Sequence, residues 1–127
     1  MNAERLKKYF DPAKVIFDAD FKLPGACYPG GFIVIGENLK EEGSIEDKVV
    51  TIIQELLHLE RGKEELIYPI NSEAYYRHEG EIDAEAIRIY NEHPDFVKYI
   101  EHTTGLIRYD SIEREIDKKR GQLRFFD

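Results

Sequence analysis

The sequence predicts an α+β fold, in which a single, mainly helical domain carries a small antiparallel sheet packed on one helix. A length of 127 residues is typical of one domain, and we expect residues 1–127 to form it. Short apolar segments bounded by glycine and proline are confined to the first third of the chain. Apolar positions recur at helical spacing over most of the rest.

The N-terminal part contains the residues that predict the sheet. Residues 2–10 have the pattern of a short amphipathic helix, and residues 14–21 that of a strand. Pro24-Gly25 and the Pro-Gly-Gly of residues 29–31 mark a turn-rich connection. The apolar run at residues 32–35 follows, and with the first strand it predicts a small antiparallel sheet or hairpin.

The remaining chain predicts helices over residues 44–61, 72–92, 94–105 and 110–121, followed by a tail over residues 122–127. Ser44 and Asp47 have the spacing of a capping box at the start of the first of these helices. Pro94 is suited to the first turn of the third helix, and Gly121 to the end of the last.

Composition excludes several classes of function. A net charge of -8 argues against nucleic-acid binding, because phosphates would be repelled in the absence of a basic cluster. No apolar run approaches the roughly 20 residues of a membrane span, and residues 1–8 lack the apolar core of a signal peptide. The single cysteine, Cys27, agrees with a reducing compartment. We therefore expect a cytoplasmic protein without nucleic-acid or membrane partners, and leave homo-oligomerisation open.

One segment of the first long helix has the spacing of a metal site. Gln54-Glu55-Leu56-Leu57-His58 matches the HExxH zinc motif at every defined position except the first. Residues four apart share one helical face, so positions 54 and 58 can face one metal ion while Glu55 reaches a water bound to it. Glutamate and histidine are also common on solvated helix faces, which is the alternative interpretation.

The next helix carries a second group of acidic residues. Glu79 and Asp83 are again four residues apart and therefore share a face. The alternative is that they only solvate a helix that also bears Glu73, Glu81 and Glu85. His78 adjoins Glu79, but neighbours on a helix point about 100° apart, so we expect it to face solvent or the cleft edge.

The order of these parts over roughly residues 26–105 resembles gluzincin-type zinc metallopeptidases, namely the ImmA/IrrE-type enzymes and the very small minigluzincins. The resemblance implies a zincin-like fold with a small sheet over the active-site helix, zinc as cofactor, and hydrolysis of a peptide or protein substrate. It implies that His58 and Glu79 are zinc ligands, that Glu55 is the general base, and that Asp83 hydrogen-bonds a metal-binding histidine from outside the ligand set.

The resemblance also implies a substrate platform, because such folds bind an extended peptide along a free strand edge. Here the corresponding strand is the apolar run, and the expected substrate-binding residues are Phe32, Ile33, Val34 and Ile35. It further suggests that the tail at residues 122–127 obstructs the cleft, although packing of its two phenylalanines in the core is an alternative.

The sequence departs from the family at Gln54, which stands where the first zinc-binding histidine belongs. A neutral amide oxygen is a poor zinc ligand, so zinc should be held weakly and the protein is expected to be of low activity, latent or inactive. Two other hypotheses remain. One is a catalytically silent zincin-like domain that binds a peptide or protein partner, and the other is a carboxylate and histidine iron site in a helical bundle.

Overall fold

The computed structural model describes residues 3–18, 20–36, 45–62, 69 and 71–106. It has an α+β, mainly helical fold, as the sequence predicts. In chain order the elements are α1 (Glu4–Lys7), a 3₁₀ turn (Pro12–Lys14), β1 (Val15–Asp18), β2 (Gly25–Tyr28), β3 (Phe32–Gly36), α2 (Ile45–Arg61), α3 (Glu73–Glu92) and α4 (Pro94–Thr103). The helix predicted at residues 110–121 and the tail at residues 122–127 lie outside the described residues.

The long helices begin where their sequences indicate. α3 starts after Ser72, whose hydroxyl accepts a hydrogen bond from the backbone N–H of Tyr75 at 3.1 Å and so satisfies one orphan donor of the first turn. α4 starts at Pro94, which has no N–H to lose there. Only α1 is much shorter than the helix predicted at residues 2–10.

The sheet has three strands in the order β1-β3-β2 and is mixed, so the prediction of an antiparallel sheet is wrong in this respect. β1 runs parallel to β3, with Ile16 opposite Val34. β2 runs antiparallel to β3, with Ala26 opposite Val34. The error arises because β2 lies within the segment that the sequence predicts to be a turn-rich connection, so this strand was not expected.

The same topology corrects the substrate platform. β3 contains Phe32, Ile33, Val34 and Ile35 and is the central strand, paired on both sides. Its backbone donors and acceptors are therefore used within the sheet, and the expectation that this strand offers a free edge is wrong. Among the described residues, the edge strands are β1 and β2.

The core lies on both sides of α2, which contacts β2 and β3 on one side and α3 on the other. Ile33 and Ile35 point from β3 into this core, and α2 presents an apolar stripe that includes Ile53 and Leu57, both fully buried. Full burial of one such side chain stabilises the fold by about 1.5 to 3 kcal/mol. The packing of α2 against α3 therefore holds in place the polar residues that the same two helices carry.

Within the described ranges, no helix is both long enough and apolar enough to cross a membrane.

Candidate functional site

Four of the predicted site residues meet along the line where α2 packs against α3. Gln54 lies next to Asp83, and His58 lies next to Glu79. The residue numbers rise along one helix as they fall along the other, so the two helices are antiparallel. The two pairs are thus one helical turn apart on facing surfaces, as the two four-residue spacings predict.

His58 and Glu79 form the first pair. His58 Nε2 lies 3.5 Å from Glu79 Oε2, and the side chains are 12% and 34% exposed. Two ligand atoms at about 2.0 to 2.2 Å from one tetrahedral zinc ion are separated by about 3.4 Å. The separation of these two atoms therefore fits joint coordination of one zinc ion.

Gln54 and Asp83 form the second pair. Gln54 Nε2 donates a hydrogen bond to Asp83 Oδ1 at 2.8 Å. An ionised carboxylate only accepts hydrogen bonds, so the amide must present its nitrogen to Asp83. The Asp83 carboxylate thus contacts the residue that stands at the first position of the HExxH motif, and only the amide oxygen of Gln54 remains as a potential donor atom for a metal.

Glu55 lies beneath β2 of the sheet. Its side chain is buried, at 9% exposure. A Cβ placed on Gly25 in β2 would lie 3.5 Å from Glu55 Cγ and 2.6 Å from Thr51 Cγ2. The backbone of β2 therefore passes directly over the Glu55 side chain, and the absence of a side chain at Gly25 allows this approach.

His78 is the site residue whose position the sequence interpretation missed. It is only 5% exposed, so the expectation that it faces solvent or the cleft edge is wrong. Its ring packs edge-on against His58, with ring centroids 6.2 Å apart. The sequence did contain an indication of this burial. His78 stands four residues before Ile82, on the buried face of α3 that continues to Ala86.

The donor set fits zinc only in part. His58 and Glu79 are good ligands, whereas the third position holds the neutral amide of Gln54. Within the described ranges, no group of three or more His, Cys, Asp or Glu side chains is arranged to hold a metal ion. A zinc ion would therefore have two strong protein ligands in the arrangement seen here.

A scan against protein-family models and searches against curated proteins and solved structures gave no match to this chain.

Proposed function

We propose that this chain is a small gluzincin-type, metallopeptidase-like protein that holds zinc between α2 and α3 and hydrolyses peptide bonds weakly. The observation that carries the proposal is the 3.5 Å separation of His58 Nε2 and Glu79 Oε2, which suits two ligands of one ion. The contact of Asp83 with position 54 adds support, since in this family a residue there hydrogen-bonds a metal-binding histidine.

In this proposal each residue has a distinct task. Zinc, when bound by His58 and Glu79, would supply Lewis acidity to the scissile carbonyl and to a water molecule. Glu55 follows Gln54 on the same helix and is the general base, which accepts the proton of the attacking water and passes it to the leaving amine nitrogen. Glu55 is buried beneath β2, which limits the access of bulk water to its side chain.

The substrate is an extended peptide segment that lies along β2. Among the described residues β2 is an edge strand, and an extended peptide adds to a sheet at such a strand. The passage of Gly25 over Glu55 would bring a peptide on that edge close to the general base. The single cysteine suits a reducing compartment, and the compartment we propose for this activity is the cytoplasm.

The test is Gln54→His, which replaces the amide by the ligand that zinc prefers. Zinc affinity, measured by competition with a chromophoric chelator, should rise at least about tenfold, which corresponds to about 1.4 kcal/mol. Hydrolysis of a fluorogenic peptide library should rise with it. A second substitution, Glu55→Gln, should abolish hydrolysis and leave zinc affinity near that of Gln54→His alone. A Gln54→His protein that binds zinc no better than the parent would refute the proposed site.

A catalytically silent peptide-binding domain is the second candidate, and Gln54 is the observation that favours it. The amide nitrogen is engaged by Asp83, so the third ligand position is filled by a contact between two protein side chains. Zinc binding by Gln54→His without hydrolysis of any library peptide, together with retention of an extended peptide by the parent protein, would favour this candidate over the enzyme.

A further inference from the structure

The edge strand β1 has one face on the core and one face turned outward. Side chains alternate between the two faces of a strand. Val15 and Phe17 stand opposite the two buried isoleucines of β3 and pack against the core. Ile16 lies between them on the outer face of the sheet and is 45% exposed. This apolar side chain is thus left on the surface at the edge of the sheet.

The outer face of β1 also carries opposite charges at its two ends. Lys14 precedes the strand, and its Nζ lies 5.5 Å from the centre of the exposed Phe32 ring, which places this side chain on the same face as Ile16. Asp18 ends the strand two residues after Ile16 and is likewise exposed. In chain order the outer face is therefore basic, apolar and acidic, with Ile16 in the middle.

We infer that two copies of this chain associate through β1, as antiparallel edge strands related by a two-fold axis that passes through Ile16. In this register Lys14 of each copy stands opposite Asp18 of the other copy, and Ile16 stands opposite its own equivalent. On the inner face, Val15 of each copy stands opposite Phe17 of the other copy. Every pair joins opposite charges or two apolar side chains, and such cross-strand pairs stabilise a sheet.

The neighbouring registers match less well. Residues that stand opposite each other must lie on the same face, so the axis can move only by whole residues along β1. An axis at Phe17 would set Ile16 against Asp18. An axis at Val15 would set Lys14 against Ile16. Either shift pairs a charge with an apolar side chain, so the charges of β1 select the register centred on Ile16.

The composition of β1 favours such pairing. Among the described residues β1 is an edge strand, and proteins often protect such strands with a proline, a bulge or an inward charge. Three of its four residues, Val15, Ile16 and Phe17, are instead of the β-branched and aromatic types that form strands best. The pairing uses the edge opposite to β2, so it is independent of the metal and the peptide in the proposed function.

The two charged groups keep capacity for a further partner. Lys14 Nζ donates to the carbonyl oxygen of Gly30 at 2.7 Å, but an ammonium group has three donors. Asp18 Oδ1 accepts from the backbone N–H of Asp20 at 2.9 Å, and the carboxylate has a second oxygen. An ion pair between the copies therefore does not require these contacts to break.

Charge reversal in the full chain tests the register. In Lys14→Asp the facing positions 14 and 18 are acidic in both copies, and in Asp18→Lys they are basic. Each variant alone should raise the Kd of the dimer, measured by sedimentation equilibrium, by about tenfold or more. An equimolar mixture of the two variants should recover the parent affinity, because each acidic strand then faces a basic one. Far-UV circular dichroism checks that both variants are folded.

Ile16 in β1 and Tyr28 in β2 provide a matched pair of controls, since both are 45% exposed. Ile16→Lys brings two ammonium groups together on the axis and should raise the Kd of the dimer at least as much as charge reversal does. Tyr28→Lys adds the same group to the other edge strand and should leave the Kd unchanged. Equal effects of these two substitutions would refute the inference, because they would indicate packing of sheet faces.

Two further outcomes would also overturn it. One is a parent protein that stays monomeric at concentrations on the order of 1 mM. The other is a mixture of Lys14→Asp and Asp18→Lys that associates no better than either variant alone.

Discussion

At the scale of single residues, the neutral side chain of Gln54 determines how the polar groups between α2 and α3 are arranged. A histidine at position 54 would offer a ring nitrogen to a metal and its second N–H to Asp83. Gln54 instead gives its N–H to Asp83, so only its amide oxygen remains as a potential metal donor. The identity of one side chain thus decides which atom position 54 could offer to a metal.

Gly25 is a second residue with a specific requirement, and Gly25→Ala should destabilise the protein. The new Cβ would lie 2.6 Å from Thr51 Cγ2, and a β-branched side chain in a helix has little freedom to move away. Overpacking of this kind costs about 1 to 3 kcal/mol, to be measured by urea denaturation. Adding Thr51→Ser removes the obstructing methyl group and should restore most of the lost stability.

Gly80 provides the matched control for Gly25. A Cβ at this helical position meets nothing within 4 Å among the described residues. Gly80→Ala should therefore stabilise α3 by about 0.5 to 1 kcal/mol, because alanine loses less backbone entropy in a helix. Equal effects of the two alanine substitutions would contradict the close approach of β2 to α2.

At the scale of elements, the start of α3 influences the site, because Glu79 and Asp83 lie within its first three turns. Asn71, which precedes the capping residue Ser72, has a positive φ of 65°, a conformation that asparagine tolerates better than most residues. Ser72 then caps the first turn through Tyr75. The residues at the start of α3 thus influence where Glu79 and Asp83 lie with respect to α2.

Ser72→Ala should weaken this start. Loss of the cap leaves the Tyr75 N–H without its side-chain partner and should lower the free energy of unfolding by about 1 kcal/mol. Ser72→Asp keeps an acceptor at the same position and adds a favourable charge at the helix N-terminus, so its stability should match or exceed that of the parent. If both variants lose the same stability in urea denaturation, the cap does not contribute as argued.

At the scale of the whole molecule, Glu85 joins three helices. Its carboxylate accepts from Arg5 of α1 at 2.9 Å and from Arg61 of α2 at 3.1 Å, and its side chain is 16% exposed. Burial alone would lower the pKa of Arg5, but the hydrogen bonds and charges of Glu60 and Glu85 raise it, so the guanidinium stays charged. The short α1 is thereby attached to the pair of helices that forms the site.

Glu85→Gln should destabilise the fold, because it removes the charge shared by the arginines and places an amide N–H near a guanidinium. Hydrogen bonds to charged groups contribute about 1.5 to 3 kcal/mol, and we expect a loss in this range by urea denaturation. Glu73→Gln is the control, since its partner Arg77 and Glu73 itself are 70% and 89% exposed. A loss of stability from Glu73→Gln as large as that from Glu85→Gln would contradict the role of Glu85.

The sequence by itself determined the helices and the spacing of the polar residues on them. The spacing of apolar residues in α2, and the capping serine and apolar face of α3, can be recognised from short stretches of sequence. Helical spacing alone then places positions 54 and 58 on one face of α2, and positions 79 and 83 on one face of α3. The sequence also predicted the α+β class, because the strand-forming segments are confined to the region before α2.

The tertiary structure alone decided the strand order, the burial of His78 and the partner of Gln54. Gly25–Tyr28 lacks β-branched residues and follows a proline, so only its hydrogen bonds to β3 make it a strand and leave β3 in the centre. His78 is buried on a face of α3 where its ring packs against His58 of α2. The hydrogen bond from Gln54 to Asp83 joins two side chains that are 29 positions apart in sequence. The spacing of residues within either helix does not reveal such a contact.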